Sequence, residues 1–563
     1  MSTKINITTV KGQYRKGEKI QLKVSGNSGF NTDRSALLLK VFHLVDEVFH
    51  MQFTFPENRM IEFSLPVEVL PPGSRGFGCS CELYNEEALI GTGYTAFDIL
   101  DPEQPVIRYG FLSDFKSEDR VKSRESLDFL AEFHMTHVQF YDWTYRHHNY
   151  AGPGEVYRDI MGKEIDFSLV KDEIKGCHDR GMAALGYGAV YAAGEEYLAE
   201  HPDHALRDCD GEACNLIDKF FIMDIRRGSA WRKRLMAEYT YAVRSAGFDG
   251  IHMDTYGFPK KAFVRKKGDF VEEGEPVFLE DDFPGLIGET RETLGDNAVL
   301  IFNNVGNWPV FATGPTPQDA LYIEVWEPYD SYHHIRQIIL DASVYEKPVI
   351  LAAYLAPFRL EPGHGGERSL YSALLLHSAI VSLGASHLLL GEDGNALTQG
   401  YYNDYSRLRD DEKESLKKYY DFQVRYLDIF LDSSLAEISE THTAGENREY
   451  FFKGARTSAD GRAGTVWTIV RESRSRKVFS LINLTGQEDS FWNRGKNTPD
   501  EVEEFLIEFP LDGEVRSLWL ASPEVAGGEA VPVQWHRTRN QRGPAGLITL
   551  TKIPLWSVIV VNY

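Results

Sequence analysis

Between residues 105 and 434 the chain alternates short apolar runs with helical stretches, and this alternation restricts the fold more than any other feature. Eight runs count as strand candidates: Val106–Leu112, Thr136–Asp142, Met182–Val190, Phe248–Asp254, Ala298–Asn304, Ala320–Trp326, Pro348–Tyr354 and Ser386–Gly391. Helical patterns lie between most of them, at Ser123–Phe133, Leu169–Arg180, Ala230–Ala246, His333–Val344 and Ser369–Leu383. Eight strands over about 330 residues match the count and size of a (β/α)8 TIM barrel. A ninth apolar run, Phe220–Ile225, then belongs to a loop or an extra strand. Interruptions at 192–229 and 258–283 read as insertions at the catalytic rim. The second, with Lys260-Lys261, Arg265-Lys266-Lys267 and several acids, reads as a solvated loop.

Both flanks read as β structure. Residues 1–104 hold short runs at Ile20–Val24, Ala36–Phe42, Val48–Phe55, Ile61–Leu65, Gly76–Leu83 and Ala88–Phe97, divided by turn signals. Their spacing predicts an immunoglobulin-like β-sandwich. The proline-bearing stretch Asp98–Pro105 marks its end. After a helix near Asp411–Tyr426, residues 435–563 return to short runs such as Val466–Val470, Lys477–Asn483 and Val558–Asn562, which predict a C-terminal antiparallel β-sandwich. The expected order is sandwich (1–104), barrel (105–434), sandwich (435–563).

Composition narrows the partners. A net charge of −24 offers no basic stripe for nucleic acid and suits a neutral glycan better than a phosphorylated substrate. No run approaches a membrane span, and the N-terminus has no apolar leader core. The chain as it stands therefore reads as cytoplasmic, or as secreted if a leader has been removed. Five scattered cysteines, Cys79, Cys81, Cys177, Cys209 and Cys214, describe no disulfide framework. No metal-ligand spacing or cofactor fingerprint stands out, so no metal and no cofactor is expected. The patterns G-x-S-x-G, Walker A and H-E-x-x-H are missing.

The chemistry concentrates at strand ends, where a barrel carries its active site. The run Phe248–Asp254 ends on the carboxylate Asp254, followed by Thr255-Tyr256-Gly257, and Ala320–Trp326 carries Glu324 beside Trp326. An acid at the end of an apolar strand costs desolvation unless it is hydrogen-bonded or functional. Two such acids on one rim form the carboxyl pair that glycoside hydrolysis uses. Around them, Tyr141, Asp142, Tyr187, Asn303, Asn304, Trp326, Tyr354 and Glu392 lie at strand ends and are candidate glycan contacts. Aromatic faces suit the C–H faces of sugars, and the polar groups suit hydroxyls. His147-His148 read equally well as surface residues, and Trp143 as a core anchor.

As a set, Arg108–Phe115, His137–Trp143, Phe248–Thr255 and Ile323–Trp326 resemble glycoside hydrolase family 66, the family of endo-dextranases and cycloisomaltooligosaccharide glucanotransferases. His387–Tyr405 is similar to that family's last barrel strand and following loop. The resemblance implies an enzyme that acts on α-1,6-linked glucan with retention, Asp254 as nucleophile and Glu324 as acid/base. Cyclising members, on this resemblance, carry an added carbohydrate-binding module near the end of the barrel. This chain has no room for one there, which favours hydrolysis over cyclisation. The apolar neighbour Trp326 is expected to make Glu324 hold its proton more tightly than Asp254. Two alternatives remain: a non-catalytic glycan-binding barrel, against which both acids count, and a hydrolase of the α-amylase kind acting on α-1,4 glucan, which shares the barrel chemistry and fails only on the motif resemblance.

Overall fold

The computed structural model describes residues 4–26, 35–54, 60–264, 275–360 and 366–563. Its centre is a run of eight parallel strands in sequence order: β1 (Tyr109–Leu112), β2 (His137–Phe140), β3 (Ala183–Ala189), β4 (Gly250–Asp254), β5 (Val299–Val305), β6 (Ala320–Glu324), β7 (Val349–Ala352) and β8 (Ser386–His387). A parallel bridge between Phe111 and Gly391 brings the first and last strands together, so the sheet is a nearly closed barrel. Seven strands lie within their apolar runs, and β5 passes the end of its run by one residue, Val305. The helices Arg120–Glu132, Phe167–Asp179, Ala230–Tyr241, Tyr332–Ser343 and Glu367–Ser382 follow the predicted stretches.

Side chains alternate across a strand, and here the alternation separates two layers. Tyr109, Phe111, Leu185, Ile301, Tyr322, Ile350, Ala352 and Leu388 pack together as one cluster inside the barrel. Their neighbours Val138, Phe140, Ile251, Met253, Leu300, Phe302, Leu321, Ile323 and Leu351 belong to the larger core shared with the helices. Strands buried on both faces read as near-continuous apolar runs, which explains their visibility in the sequence.

The run from Phe220 is an extra strand, Phe220–Ile222, set between Ala192–Ala193 and Asn215–Leu216 in a small antiparallel sheet outside the barrel. The stretch 258–283 differs from the expected loop. Lys261–Val264 pairs with Glu275–Phe278 as a hairpin, and a helix begins at Leu279 and runs to Leu294. Glu280, Asp281 and Asp282 in its first turn favour the positive end of the helix dipole, although they resemble a solvated loop in the sequence. Arg265-Lys266-Lys267 lie outside the described residues.

Antiparallel sheets flank the barrel. At the N-terminal side, a three-stranded sheet (Ile5–Thr9, Lys19–Gly26, Met60–Pro66) and a four-stranded sheet (Ser35–His43, Asp46–Thr54, Gly76–Asn85, Ala88–Asp98) share one core. The strand Ile5–Thr9 has no counterpart in the sequence reading. At the C-terminal side, sheets built around Arg476–Asn483 and Trp556–Asn562, and around Val502–Pro510 and Gly543–Ile553, share another core. The five cysteines are free.

One buried ion pair fixes the point where the N-terminal sheet enters the barrel. Asp98 ends the last strand of that sheet, and Arg108 immediately precedes β1. Arg108 donates to both Asp98 oxygens (Nη2 to Oδ1 2.8 Å, Nη1 to Oδ2 3.1 Å) and also to the carbonyls of Gly12 and His134. Gln13 Nε2 adds a third donor to Asp98 at 2.7 Å. Removing one member of a satisfied buried pair strands the other charge. Asp98→Ala is therefore expected to lower stability by about 3–5 kcal/mol, read from the denaturant midpoint. A change below about 1 kcal/mol would show that the pair does not clamp this junction.

Candidate active site

The period-2 alternation that fills the barrel also places polar side chains on its inner rim. Tyr187 on β3, Asp254 on β4, Asn303 on β5 and Glu324 on β6 all point inward at the C-terminal ends of their strands, and Tyr354 follows β7. Asn303 Nδ2 donates to Asp254 Oδ1 at 2.7 Å and to Glu324 Oε2 at 3.0 Å. One amide nitrogen thus holds both carboxylates. For near-linear bonds from two N–H groups that diverge by about 120°, this places those oxygens about 5 Å apart. The remaining oxygens are held by phenols: Tyr187 OH donates to Asp254 Oδ2 at 2.8 Å, and Tyr354 OH to Glu324 Oε1 at 2.9 Å.

Burial disfavours charge on both acids. Asp254 is pushed up to about 7, first by desolvation and then by the neighbouring Glu324, while Asn303 and Tyr187 partly offset the rise. Glu324 is also raised, chiefly by burial, and is restrained by Asn303, Tyr354 and Trp326. The sequence reading gives the tighter proton to Glu324 with help from Trp326; here burial raises both acids, and Trp326 acts on Glu324 in the opposite sense, as a hydrogen-bond donor that lowers it. Asp254 faces two carboxylates, Glu324 and Asp142, whose charge adds to its rise. The physical unit is the pair. Beneath it lies His252, buried, with Nδ1 3.1 Å from Tyr109 OH and its pKa lowered to about 3 by desolvation.

These groups open onto a cavity of about 570 Å³. Of the residues singled out from the sequence, Tyr141, Asp142, Tyr187, Asp254, Asn303, Glu324, Trp326 and Tyr354 line it. Two do not. Asn304 follows Asn303, so alternation turns it outward. It is fully buried, donates to the carbonyls of Phe302 and Tyr322, and accepts from Thr313 Oγ1 at 2.6 Å. Glu392 lies beyond β8 in a short turn and reaches back to the end of β1. There it accepts from Ser113 N (2.9 Å), Ser113 Oγ (2.6 Å) and Asp114 N (3.0 Å), a closure contact for the barrel, with its pKa raised by burial to about 7.

The structure also adds residues to the site. His147 lines the cavity with Nε2 3.7 Å from Asp142 Oδ1, so it is not a surface residue. Trp143 is a buried core anchor. Tyr402 stacks on Tyr141 (centroids 4.6 Å, 20°), and Gly400 backs Glu324 so closely that a Cβ there would stand 3.1 Å from Oε1 and 3.2 Å from Trp326 Cζ2. Gly400-Tyr401-Tyr402 comes from the loop after β8, where no periodicity marks a residue as facing the rim. The sequence signal there is only the glycine beside two tyrosines.

The sequence matches the profile of glycosyl hydrolase family 66 over residues 9–560, and the chain belongs to that family. It is an enzyme of the glycoside hydrolase kind. It is 22% identical to a cycloisomaltooligosaccharide glucanotransferase of Niallia circulans, covering 99% of this chain and 71% of that protein. It is 20% identical to a dextranase of Streptococcus salivarius, covering 71% of this chain and 55% of that protein. Among solved structures, a Paenibacillus cycloisomaltooligosaccharide glucanotransferase complexed with cycloisomaltoheptaose is similar with a TM-score of 0.85 at 20% identity, covering 99% of each chain. That likeness establishes the fold.

The pair makes a signed prediction. A carboxyl whose folded pKa is raised binds more protons folded than unfolded, so it costs stability as pH rises from about 4 to about 7. Asp254→Asn is expected to be more stable than the wild type at pH 8, by up to a few kcal/mol, with the gap closing toward pH 4. Glu324→Gln should lower the Asp254 pKa below about 7, as measured by infrared or ¹³C NMR titration. An unshifted titration would show that the two acids do not couple.

Proposed function

We propose that the protein is a retaining glycoside hydrolase that cleaves α-1,6-glucosidic linkages in dextran or isomaltooligosaccharides, with Asp254 as nucleophile and Glu324 as acid/base. The observation that carries this reading is the Asn303 amide shared by both carboxylates. It sets a spacing of about 5 Å, which suits direct attack on the anomeric carbon, whereas an inverting pair stands wider to admit a water. Near neutral pH the pair holds one proton. With that proton on Glu324, Asp254 is the ionised nucleophile. Glu324 protonates the departing glycosidic oxygen while Asp254 bonds the anomeric carbon from the other face. Glu324, now a base, then takes a proton from water, which displaces Asp254. Tyr187, Tyr354 and Asn303 hold the acids in register throughout. Tyr141, Asp142, Trp326 and Tyr402 are assigned to the sugar. The chemistry is assigned to residues 105–434, with 1–104 and 435–563 as flanking units.

Cyclisation is the second reading, and the glucanotransferase names of the relatives favour it. Two observations support hydrolysis. The similarity to the Niallia protein extends over 709 residues, longer than this chain, so that relative carries internal residues that are missing here. After β8 the chain passes through one short hairpin, Asn395–Leu397 with Tyr405–Arg407, directly into the helix Asp410–Arg425, with no inserted module.

Product analysis separates the two. Incubated with dextran and isomaltohexaose, the protein is expected to release linear isomaltooligosaccharides, resolved by chromatography and mass. Rings lighter by one water would make it a glucanotransferase. Asp254→Asn and Glu324→Gln should each lose at least about 10³-fold in turnover. The kcat/KM profile should fall as pH rises past about 7, where the shared proton is lost. Wild-type turnover in either variant contradicts the assignment.

A further inference from the structure

At the mouth of the cavity stands a hairpin that no part of the mechanism uses. Asn215–Leu216 and Phe220–Ile222 pair antiparallel, and the chain reverses through Ile217 (φ 51°) and Asp218 (φ 55°). Lys219 N donates to the Leu216 carbonyl at 3.2 Å, and Asp218 N to Asn215 Oδ1 at 3.0 Å. Two consecutive left-handed residues are the pattern of a type I′ turn, whose natural occupants are Asn and Gly. Ile217 is the opposite choice, since a β-branched residue is strained at positive φ. It is also 58% exposed, so neither backbone preference nor core burial accounts for it. The base of the hairpin, by contrast, is anchored: Phe220 stacks on His147 (5.2 Å, 11°) and packs against Tyr256 (5.8 Å). Leu216, Ile217 and Phe220 all line the catalytic cavity, and Glu324 lies buried within it.

We propose that Ile217, held in a strained turn at the tip of this hairpin, is a rim contact for glucan units beyond the sugar at the carboxylates, and so sets preference for longer chains. The proposal rests on the α-1,6-glucan reading above. An aliphatic side chain presented from a fixed hairpin can pack on the C–H face of a sugar that lies between the hairpin and the opposite wall. Strain at a functional position is retained when the contact it delivers is selected. Asn in the same turn would relieve the strain and remove the apolar contact, so stability and long-chain affinity should move in opposite directions.

The test compares Ile217→Asn and Ile217→Leu with the wild type on isomaltotriose and isomaltohexaose. Ile217→Asn should have a higher Tm, a KM for isomaltohexaose raised about three- to tenfold, kcat within about twofold, and an unchanged KM for isomaltotriose. Ile217→Leu, which keeps an apolar tip, should hold KM near the wild-type value. A wild-type KM for Ile217→Asn on the long substrate, or an equal rise on both substrates, overturns the rim contact while leaving the assigned function intact. A wild type that cleaves neither these substrates nor dextran overturns both.

Discussion

Asn303 is the constraint on which the site depends. Two buried carboxylates at close range repel each other and each lose hydration, and a single amide that donates to both is what makes their proximity tolerable. The two phenols complete the arrangement from outside, Tyr187 on Asp254 and Tyr354 on Glu324, so each acid is tethered through both oxygens. The charge that remains costly is the second one. Burial raises both acids, Asp254 to about 7, which favours keeping a proton on the pair, as the proposed acid/base and nucleophile couple requires. The same unfavourable burial makes the site a place where function and stability oppose each other.

The barrel supplies the geometry. Parallel strands in sequence order bring β3 through β7 side by side, and their common pleat turns Tyr187, Asp254, Asn303 and Glu324 to the same inner face. Shifting any one strand by a residue would exchange its rim residue for a core one. The Asp98–Arg108 pair and the Glu392 contact with Ser113 and Asp114 hold the first strand at both of its ends, and this strand closes the ring.

Much of this was legible in the sequence because doubly buried strands announce themselves as apolar runs, and a carboxylate ending such a run is conspicuous. Asp254 and Glu324 were visible on that ground. The errors trace to specific gaps. Asn303 and Asn304 look alike in sequence, and only the pleat tells which faces the cavity. Glu392 lies past its strand, in a turn whose direction no periodicity sets. The helix Leu279–Leu294 was hidden because its acidic first turn and Pro284 imitate a loop. His147, Gly400 and Tyr402 reach the site from loops, through contacts distant in sequence.

The central claim is that the bridged pair acts with direct nucleophilic attack by Asp254. The most direct measurement is ¹H NMR of the first product released from an α-1,6-glucan, recorded before mutarotation. The account predicts that the α-anomer appears first, since two displacements restore the original configuration. A first-formed β-anomer would mean a single displacement by water and would contradict the assignment of Asp254 as nucleophile.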